Sequence, residues 1–307
     1  MIITVTLNPA IDKTIDVGHM EVGGLNRIQS GVRDVGGKGI NVSKTIKALG
    51  GNTIATGFVA GSTGEHISST LKGLDIQTDF VWVDGETRTN TKVYSENYGI
   101  TELNEQGAEI TTEQLAALLQ KLEGYAKPDT IFVLAGSAPA GVPKDIYNTI
   151  CTMVREKGGR VILDADGELF EKSLPSVPHI MKPNREEVAQ YMGISGEMTK
   201  EQLMNTTFLE KGSELVAISM GGDGALFLTS ENKYFCKGLK VSVKSTVGAG
   251  DAMVAALAYA TEQKMDLENT IKLAVATSAG AVTTIGTKPP TLEVVQELQK
   301  QVVLEKI

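Results

Sequence analysis

The chain has two cysteines, Cys151 and Cys236, among 307 residues. One pair makes no disulfide framework. With three scattered histidines (His19, His66 and His179) it makes no metal-ligand cluster either, so both thiols read as small buried apolar groups. Aromatic residues are scarce at 5%, with Trp82 the single tryptophan. Bases are outnumbered 29 to 37, a net charge of −8, which argues against a surface that coats nucleic acid or anionic membrane. A small anionic ligand stays open, because a pocket needs only a few local cations. No apolar run approaches the roughly 20 residues of a spanning helix. The start lacks a basic flank and meets Asn8, Pro9 and Asp12 early, unlike a secretory signal. These absences predict a soluble, cytoplasmic protein with neither nucleic-acid nor membrane partners.

Two familiar phosphate loops are missing as well. The G-x-x-x-x-G-K-S/T loop fails at Gly37-Lys38, where Val32 occupies the first glycine position and Gly39 follows the lysine. No G-x-G-x-x-G opens a helix after the first strand. A P-loop nucleotidase and an ordinary NAD-binding oxidoreductase both lose their main support.

What is present is an alternation of short β-branched runs with longer helical patterns. Ile2–Leu7, Ile131–Leu134, Val161–Leu163 and Leu215–Ser219 read as buried parallel strands. Ile40–Leu49, Thr112–Glu123, Lys144–Lys157 and Asp251–Gln263 read as helices, and the second carries Leu115, Leu118, Leu119 and Leu122 on one face. This predicts an α/β sandwich with right-handed crossovers. The stretches Ile11–Arg33 and Thr87–Asn104 break the rhythm, and Thr89, Thr91, Val93 and Tyr94 suit strands. They predict a small antiparallel sheet projecting from one domain that spans residues 1–307; a pair of surface hairpins fits the same pattern.

Glycine is abundant, at 33 residues. Its informative cluster is Ser245-Thr246-Val247-Gly248-Ala249-Gly250-Asp251, directly before the apolar run Ala252–Ala260. Small residues at a helix start expose backbone N–H groups and positive dipole charge to an anion. Such a turn can hold charge on a transferred group, and Asp251 can accept a proton from an attacking hydroxyl. The dipole and N–H groups are expected to keep Asp251 ionised. A capped helix with a tight turn uses the same residues. Gly36-Gly37-Lys38-Gly39, with Asn41, offers close backbone approach, a cation and a two-way hydrogen-bonder, or else a flexible turn. In Lys182-Pro183-Asn184-Arg185-Glu186-Glu187, Asn184 and Glu187 share a helix face and could hold metal-bound waters near a triphosphate. A helix start with acids in its first turn reads equally well there.

Taken in order, these motifs resemble the PfkB (ribokinase-like) family of carbohydrate kinases from Thr6 to about Pro290. Gly36–Asn41 resembles its first signature and Ser245–Asp251 its second, with Ser245 where the family usually has Asp. That departure is similar to the phosphosugar branch. So are Thr6–Asp12, Thr87-Arg88-Thr89-Asn90, Ala135–Pro139, Lys182-Pro183-Asn184 and Thr101–Asn104. The pattern resembles 1-phosphofructokinases most and tagatose-6-phosphate kinases next. The resemblance implies a three-layer α/β/α sandwich with a mainly parallel central sheet and a small β lid. It implies ATP and Mg²⁺, a phosphosugar substrate, and a homodimer through the lid. By position it makes Asp251 the base, with Gly248, Ala249 and Gly250 around the transferred phosphoryl. Asp12, Gly37, Gly39 and Asn41 fall at the sugar; Arg27, Lys38 and Arg88, with Ser137, are the candidates for the substrate's phosphate. Lys182, Asn184, Glu187, Ser219, Gly221 and Gly224 fall at the nucleotide, the metal sitting by Asn184 and Glu187 through water. The Val275–Ala279 pattern is placed beside the adenine. An oxidoreductase would need the missing dinucleotide loop. A catalytically idle sugar-binding protein would not need Asp251, Asn184 and Glu187 together.

Overall fold

A computed structural model describes residues 1–307. Its strands are β1 (Ile2–Thr6), β2 (Ala10–Asp16), β3 (Ser30–Gly36), β4 (Thr53–Ala60), β5 (Gln77–Thr78), β6 (Val81–Val83), β7 (Arg88–Ser95), β8 (Gly99–Asn104), β9 (Ile131–Ala135), β10 (Arg160–Asp164), β11 (Ile180–Met181), β12 (Leu215–Ser219), β13 (Gly224–Leu228), β14 (Lys233–Lys237) and β15 (Glu305–Lys306). The large sheet runs β15-β14-β13-β12-β11-β10-β9-β1-β4-β5, with β6 also on β4. From β5 to β12 its pairs are parallel, and β13 to β15 close the edge antiparallel. Alternate residues feed two apolar layers. Phe132, Leu134, Val161, Leu163, Val216 and Ile218 face one; Ile131, Val133, Ile162, Leu215 and Ala217 face the other. Burial on both faces is why these strands read as unbroken apolar runs. The result is a three-layer α/β/α sandwich, as expected from the sequence.

Helix starts follow local chemistry. Thr111 and Gln114 form a reciprocal capping box at Thr112–Tyr125, and Thr199 with Gln202 does the same at Lys200–Leu203. The helix Ala249–Glu262 differs in being buried on nearly every side, from Asp251 through Ala258. An all-round apolar helix belongs in the interior, and it carries its first turn, with Asp251, inside.

The second sheet has the order β3-β2-β7-β8. It corrects the expectation of an all-antiparallel arrangement, because β2 and β7 are parallel, Ala10 opposite Arg88 and Asp16 opposite Tyr94. Both strands leave the carboxyl ends of the large sheet. β2 follows β1 after three residues, and Thr87, just before β7, bonds Ala60 at the end of β4 through its hydroxyl and its N–H. Residues 17–29 form no strand. The small sheet is thus rooted at the carboxyl ends of β1 and β4, the end of an open α/β sheet at which ligands bind.

Candidate active site

The helix Lys38–Ala48 follows β3 through Gly36–Gly37 and presents Lys38, Asn41 and Lys44 three residues apart. Asn41 Nδ2 donates to Asp251 Oδ2 at 2.8 Å, joining this helix to the start of Ala249–Glu262. Asp251 is 8% exposed. Burial and the nearby Asp164 carboxylate push its pKa up to about 6, against the opposing pull of Asn41, Lys38 and Lys182. This reverses the expectation that the helix dipole keeps the carboxyl strongly ionised. Desolvation outweighs the dipole, and the shift places a carboxyl where it can take up a proton near neutrality.

Around Asp251 the chain leaves donors free. Gly248 is the left-handed N-cap, φ 84°, and Ala249 N–H bonds the Thr246 carbonyl, while the N–H groups of Gly248, Gly250 and Asp251 find no protein acceptor. A Cβ on Gly250 would lie 3.2 Å from Lys182 Nζ, so the Lys182 ammonium stands beside this turn. Lys182 is 6% exposed and pairs with Asp164 Oδ1 at 3.3 Å. Lys38 pairs with the same oxygen at 3.3 Å and with Asp166 Oδ1 at 2.5 Å. Burial works against the Lys38 charge, yet Asp164 and Asp166 hold its pKa above the usual lysine range. Lys38 is therefore shared between two carboxylates, with which a substrate phosphate would compete. Asp164, burial notwithstanding, is held low by Lys182 and Lys38.

At the root of the small sheet Asp12 lies opposite Asn90, whose Nδ2 donates to Asp12 Oδ1 at 3.4 Å. Burial raises the Asp12 pKa against the pull of Lys92, Asn90, Lys44 and Arg88. A Cβ on Gly36 would collide with the Asp12 carboxylate, one on Gly37 would press Thr6 and Pro9, and one on Gly39 would meet Thr6 and the Val5 carbonyl. Packing of β1 and Pro9 against the helix start leaves no room for a side chain at Gly37 or Gly39. Arg88 donates to the carbonyls of Glu105 (3.2 Å) and Asn8 (3.1 Å), and its buried Nε–H has no partner. The Oδ1 atoms of Asn41 and Asn90 are likewise buried and unpaired. Buried unpaired polar atoms are costly, and two of these belong to the asparagines that bond Asp251 and Asp12, where a hydroxylated ligand could satisfy them. Ser137 is exposed after β9, and Arg27 is exposed in the β2–β3 connection; neither makes a hydrogen bond or ion pair.

Beyond β12 lies a cleft of about 490 Å³. Its apolar wall includes Leu239, Val241, Met253, Val275, Ala279 and Val282, and its polar rim carries Asn184, Ser219 and Gly221. One end reaches Thr246, Ala249 and Gly250. The size suits a small-molecule ligand and the apolar slot suits a flat base. Gly221, φ 58°, has open space where a side chain would be; Gly224, φ 118°, could not carry a Cβ against the Cys236 carbonyl. Asn184 and Glu187 form a capping box, each side chain bonding the other's N–H at 2.8 Å. One oxygen of each is thus engaged, and burial raises the Glu187 pKa.

The chain matches the pfkB family carbohydrate kinases over residues 5–294. It belongs to that family. It is 37% identical to 1-phosphofructokinase of Bacillus subtilis (strain 168), covering 100% of both chains. To 1-phosphofructokinase of Vibrio cholerae serotype O1 it is 32% identical, covering 98% of this chain and 95% of that protein. Among solved structures, phosphofructokinase-2 from Escherichia coli in complex with substrates and products superposes with a TM-score of 0.90 at 28% identity, over 98% of both chains. A pfkB kinase is a phosphotransferase with an alcohol acceptor, so the residues around Asp251 are those of a transferase rather than an oxidoreductase.

Four site residues escaped the sequence reading as site residues. Asp164 and Asp166 follow the Val161–Leu163 run, where an acid at a strand's carboxyl end is itself a signal. Asn90 sits beside Arg88 in the quoted Thr87–Asn90 motif. Lys44 repeats the three-residue spacing of Lys38 and Asn41. His179 is structural: its Nδ1 accepts from Val161 N–H, and burial pushes its pKa down to about 4.

Proposed function

We propose that the protein is an ATP-dependent 1-phosphofructokinase, transferring the γ-phosphoryl of ATP to the free primary hydroxyl of fructose 1-phosphate. One observation carries the chemistry: a buried carboxyl with a raised pKa sits at a helix N-terminus whose N–H groups are free, hydrogen-bonded to Asn41 and next to the apolar cleft that reaches Ala249 and Gly250. The relatives named above carry the substrate; tagatose 6-phosphate has no such support.

The adenine takes the apolar slot beside Val275 and Ala279, with the loop Ser219–Gly224 along the nucleotide. The triphosphate points to Gly248–Asp251. Lys182 offsets charge on the transferred group, and the free N–H groups receive it. Asp12, Asn41 and Asn90 hold sugar hydroxyls. Asp251 accepts the proton of the attacking hydroxyl, within the range expected for a general base. Arg88 and Arg27, with Ser137, bind the phosphate already on the sugar; Arg suits this through its planar donor fork.

No three His, Cys, Asp or Glu side chains converge into a metal cage. Mg²⁺ usually keeps several waters and relies on one or two carboxylates plus substrate phosphates. The free oxygen of Glu187 and the amide of Asn184 fit that donor set through water. Bound there with ATP, the ion would neutralise phosphate charge.

The small sheet acts as a lid over the sugar. Its face bearing Asp12 and Asn90 continues outward to Val32, Tyr94 and Ile100, which are 41%, 45% and 65% exposed. A second copy of the chain covers this apolar end, making a homodimer. No helix is long and apolar enough to cross a membrane, and a cytoplasmic setting suits an ATP-using enzyme.

The test is ADP release in a coupled assay with purified protein, ATP, Mg²⁺ and fructose 1-phosphate. Sugar-dependent release is expected. No release above the sugar-free rate contradicts the reading.

A further inference from the structure

Lys44 is a buried cation that the proposed transfer does not use. It is 7% exposed and pairs with no carboxylate within 4.0 Å. Its ammonium donates to the Val35 carbonyl at 2.7 Å and to Thr287 Oγ1 at 3.2 Å, both neutral. Burying an unpaired charge is costly and needs a reason. The two acceptors supply one. Val35 is the last residue but one of β3, the strand joining the small sheet to the helix Lys38–Ala48, and the next residue, Gly36, packs on the Asp12 carboxylate. Thr287 packs on the other side of the site: a Cβ on Gly248 would lie 3.7 Å from it. Its neighbour Gly286 abuts the Asp34 carboxylate, also on β3.

One ammonium therefore joins the root of the lid to the loop behind the anion-binding turn. The acids facing it are Asp34 and Asp12 on the small sheet and Asp251 on the helix Ala249–Glu262. We infer that Lys44 is a positioning residue for phosphoryl transfer, tying the lid strand β3 to the Gly248–Asp251 turn and balancing the acids of the sugar pocket. Sugar binding against Asp12 then sets the geometry of the turn through Val35, Lys44 and Thr287. Burial pushes the Lys44 pKa down to about 8, with Asp34, Asp12 and Asp251 opposing. The charge this device needs is thus lost in mildly alkaline solution. The inference rests on the placement of transfer at Gly248–Asp251.

The experiment compares wild type with Lys44→Met, Lys44→Arg and Thr287→Val in kcat, in KM for each substrate, and in kcat/KM from pH 6 to 10. Wild-type turnover is the internal control, since its absence defeats the kinase reading rather than this one. In Lys44→Met, kcat/KM for the phosphosugar should fall about 100-fold, the scale of a small misplacement at a reacting centre, with ATP affinity and cooperative melting retained. Lys44→Arg should restore most of that activity, and Thr287→Val should fall between. Wild type should lose kcat/KM above about pH 8, and Lys44→Arg, permanently charged, should not. If Lys44→Met fails to fold, Thr287→Val and the wild-type and Lys44→Arg pH profiles decide. Wild-type kinetics in Lys44→Met overturn the proposal. So does an unchanged Thr287→Val together with alkaline profiles that coincide in wild type and Lys44→Arg.

Discussion

Asp251 and Asp164 are two buried carboxyls with opposite pKa shifts. Asp251 is raised because burial and Asp164 act on it with only one direct hydrogen bond, from Asn41; Asp164 is lowered because two lysines share it. The pattern separates a proton acceptor from a structural anion. Asp251→Asn should cut kcat by about 10²–10⁴-fold while ATP affinity stays close to wild type, as isothermal titration with ATP can check. Wild-type kcat/KM should fall as pH drops through about 6, where Asp251 takes its proton. The stability sign is opposite to that of a paired carboxylate. A folded pKa above the unfolded value means the native state binds the proton more tightly, so stability declines as pH rises from the unfolded value of 3.8 through about 6. Asp251→Asn should therefore melt higher than wild type at pH 7 but not at pH 4. Asp164→Leu does the reverse by stranding Lys182 and Lys38. A loss of about 3 kcal/mol is expected, read from urea midpoints at constant m-value.

Secondary structure was largely legible in sequence because its causes are local. The leucine spacing of Thr112–Tyr125 and the Thr111 and Gln114 pair announce that helix, and β-branched runs announce β1, β9, β10 and β12. The helix Gly61–Gly73 was not legible. It starts and ends on glycine, and its first turn is tied by the distant Glu86 carboxylate, which accepts from Thr63 N–H at 2.6 Å and Ser62 N–H at 3.2 Å. Strand neighbours were not legible either, since β9 beside β1 pairs Ile131 with Ile2 from far apart in the sequence. The glycine motifs could be found but their reasons could not. Gly39 is a matter of helix-to-strand distance, visible only once Thr6 and the Val5 carbonyl are in place. Gly39→Ala should force the helix Lys38–Ala48 off β1, costing about 1–3 kcal/mol and lowering kcat/KM through Asn41. Gly221→Ala meets no such wall, and its cost is limited to backbone strain.

For the whole molecule, the −8 charge proves compatible with an anionic substrate because cations and acids are interleaved at the strand ends rather than spread over the surface. Lys44 and Lys182 are buried and Lys38 is partly buried, with Asp164, Asp166, Asp12 and Asp34 as their acidic neighbours. Arg27 and Arg88, both on or beside the small sheet, are the arginines proposed for the substrate's phosphate. Exposed Val32, Tyr94 and Ile100 on that sheet predict a dimer at micromolar concentration. Sedimentation should show it, and a Tyr94→Asp, Ile100→Asp double variant should sediment as monomer with raised KM for the sugar. A wild-type monomer would count against the covering copy.

The central claim concerns which sugar phosphate this site selects. A side-by-side measurement of kcat/KM for fructose 1-phosphate, fructose 6-phosphate and tagatose 6-phosphate, at saturating ATP, tests it most directly. Polar groups placed for one substrate reject an isomer that leaves them unpaired. Fructose 1-phosphate should exceed each of the others by about 100-fold or more. Equal or higher values for tagatose 6-phosphate or fructose 6-phosphate would contradict the account.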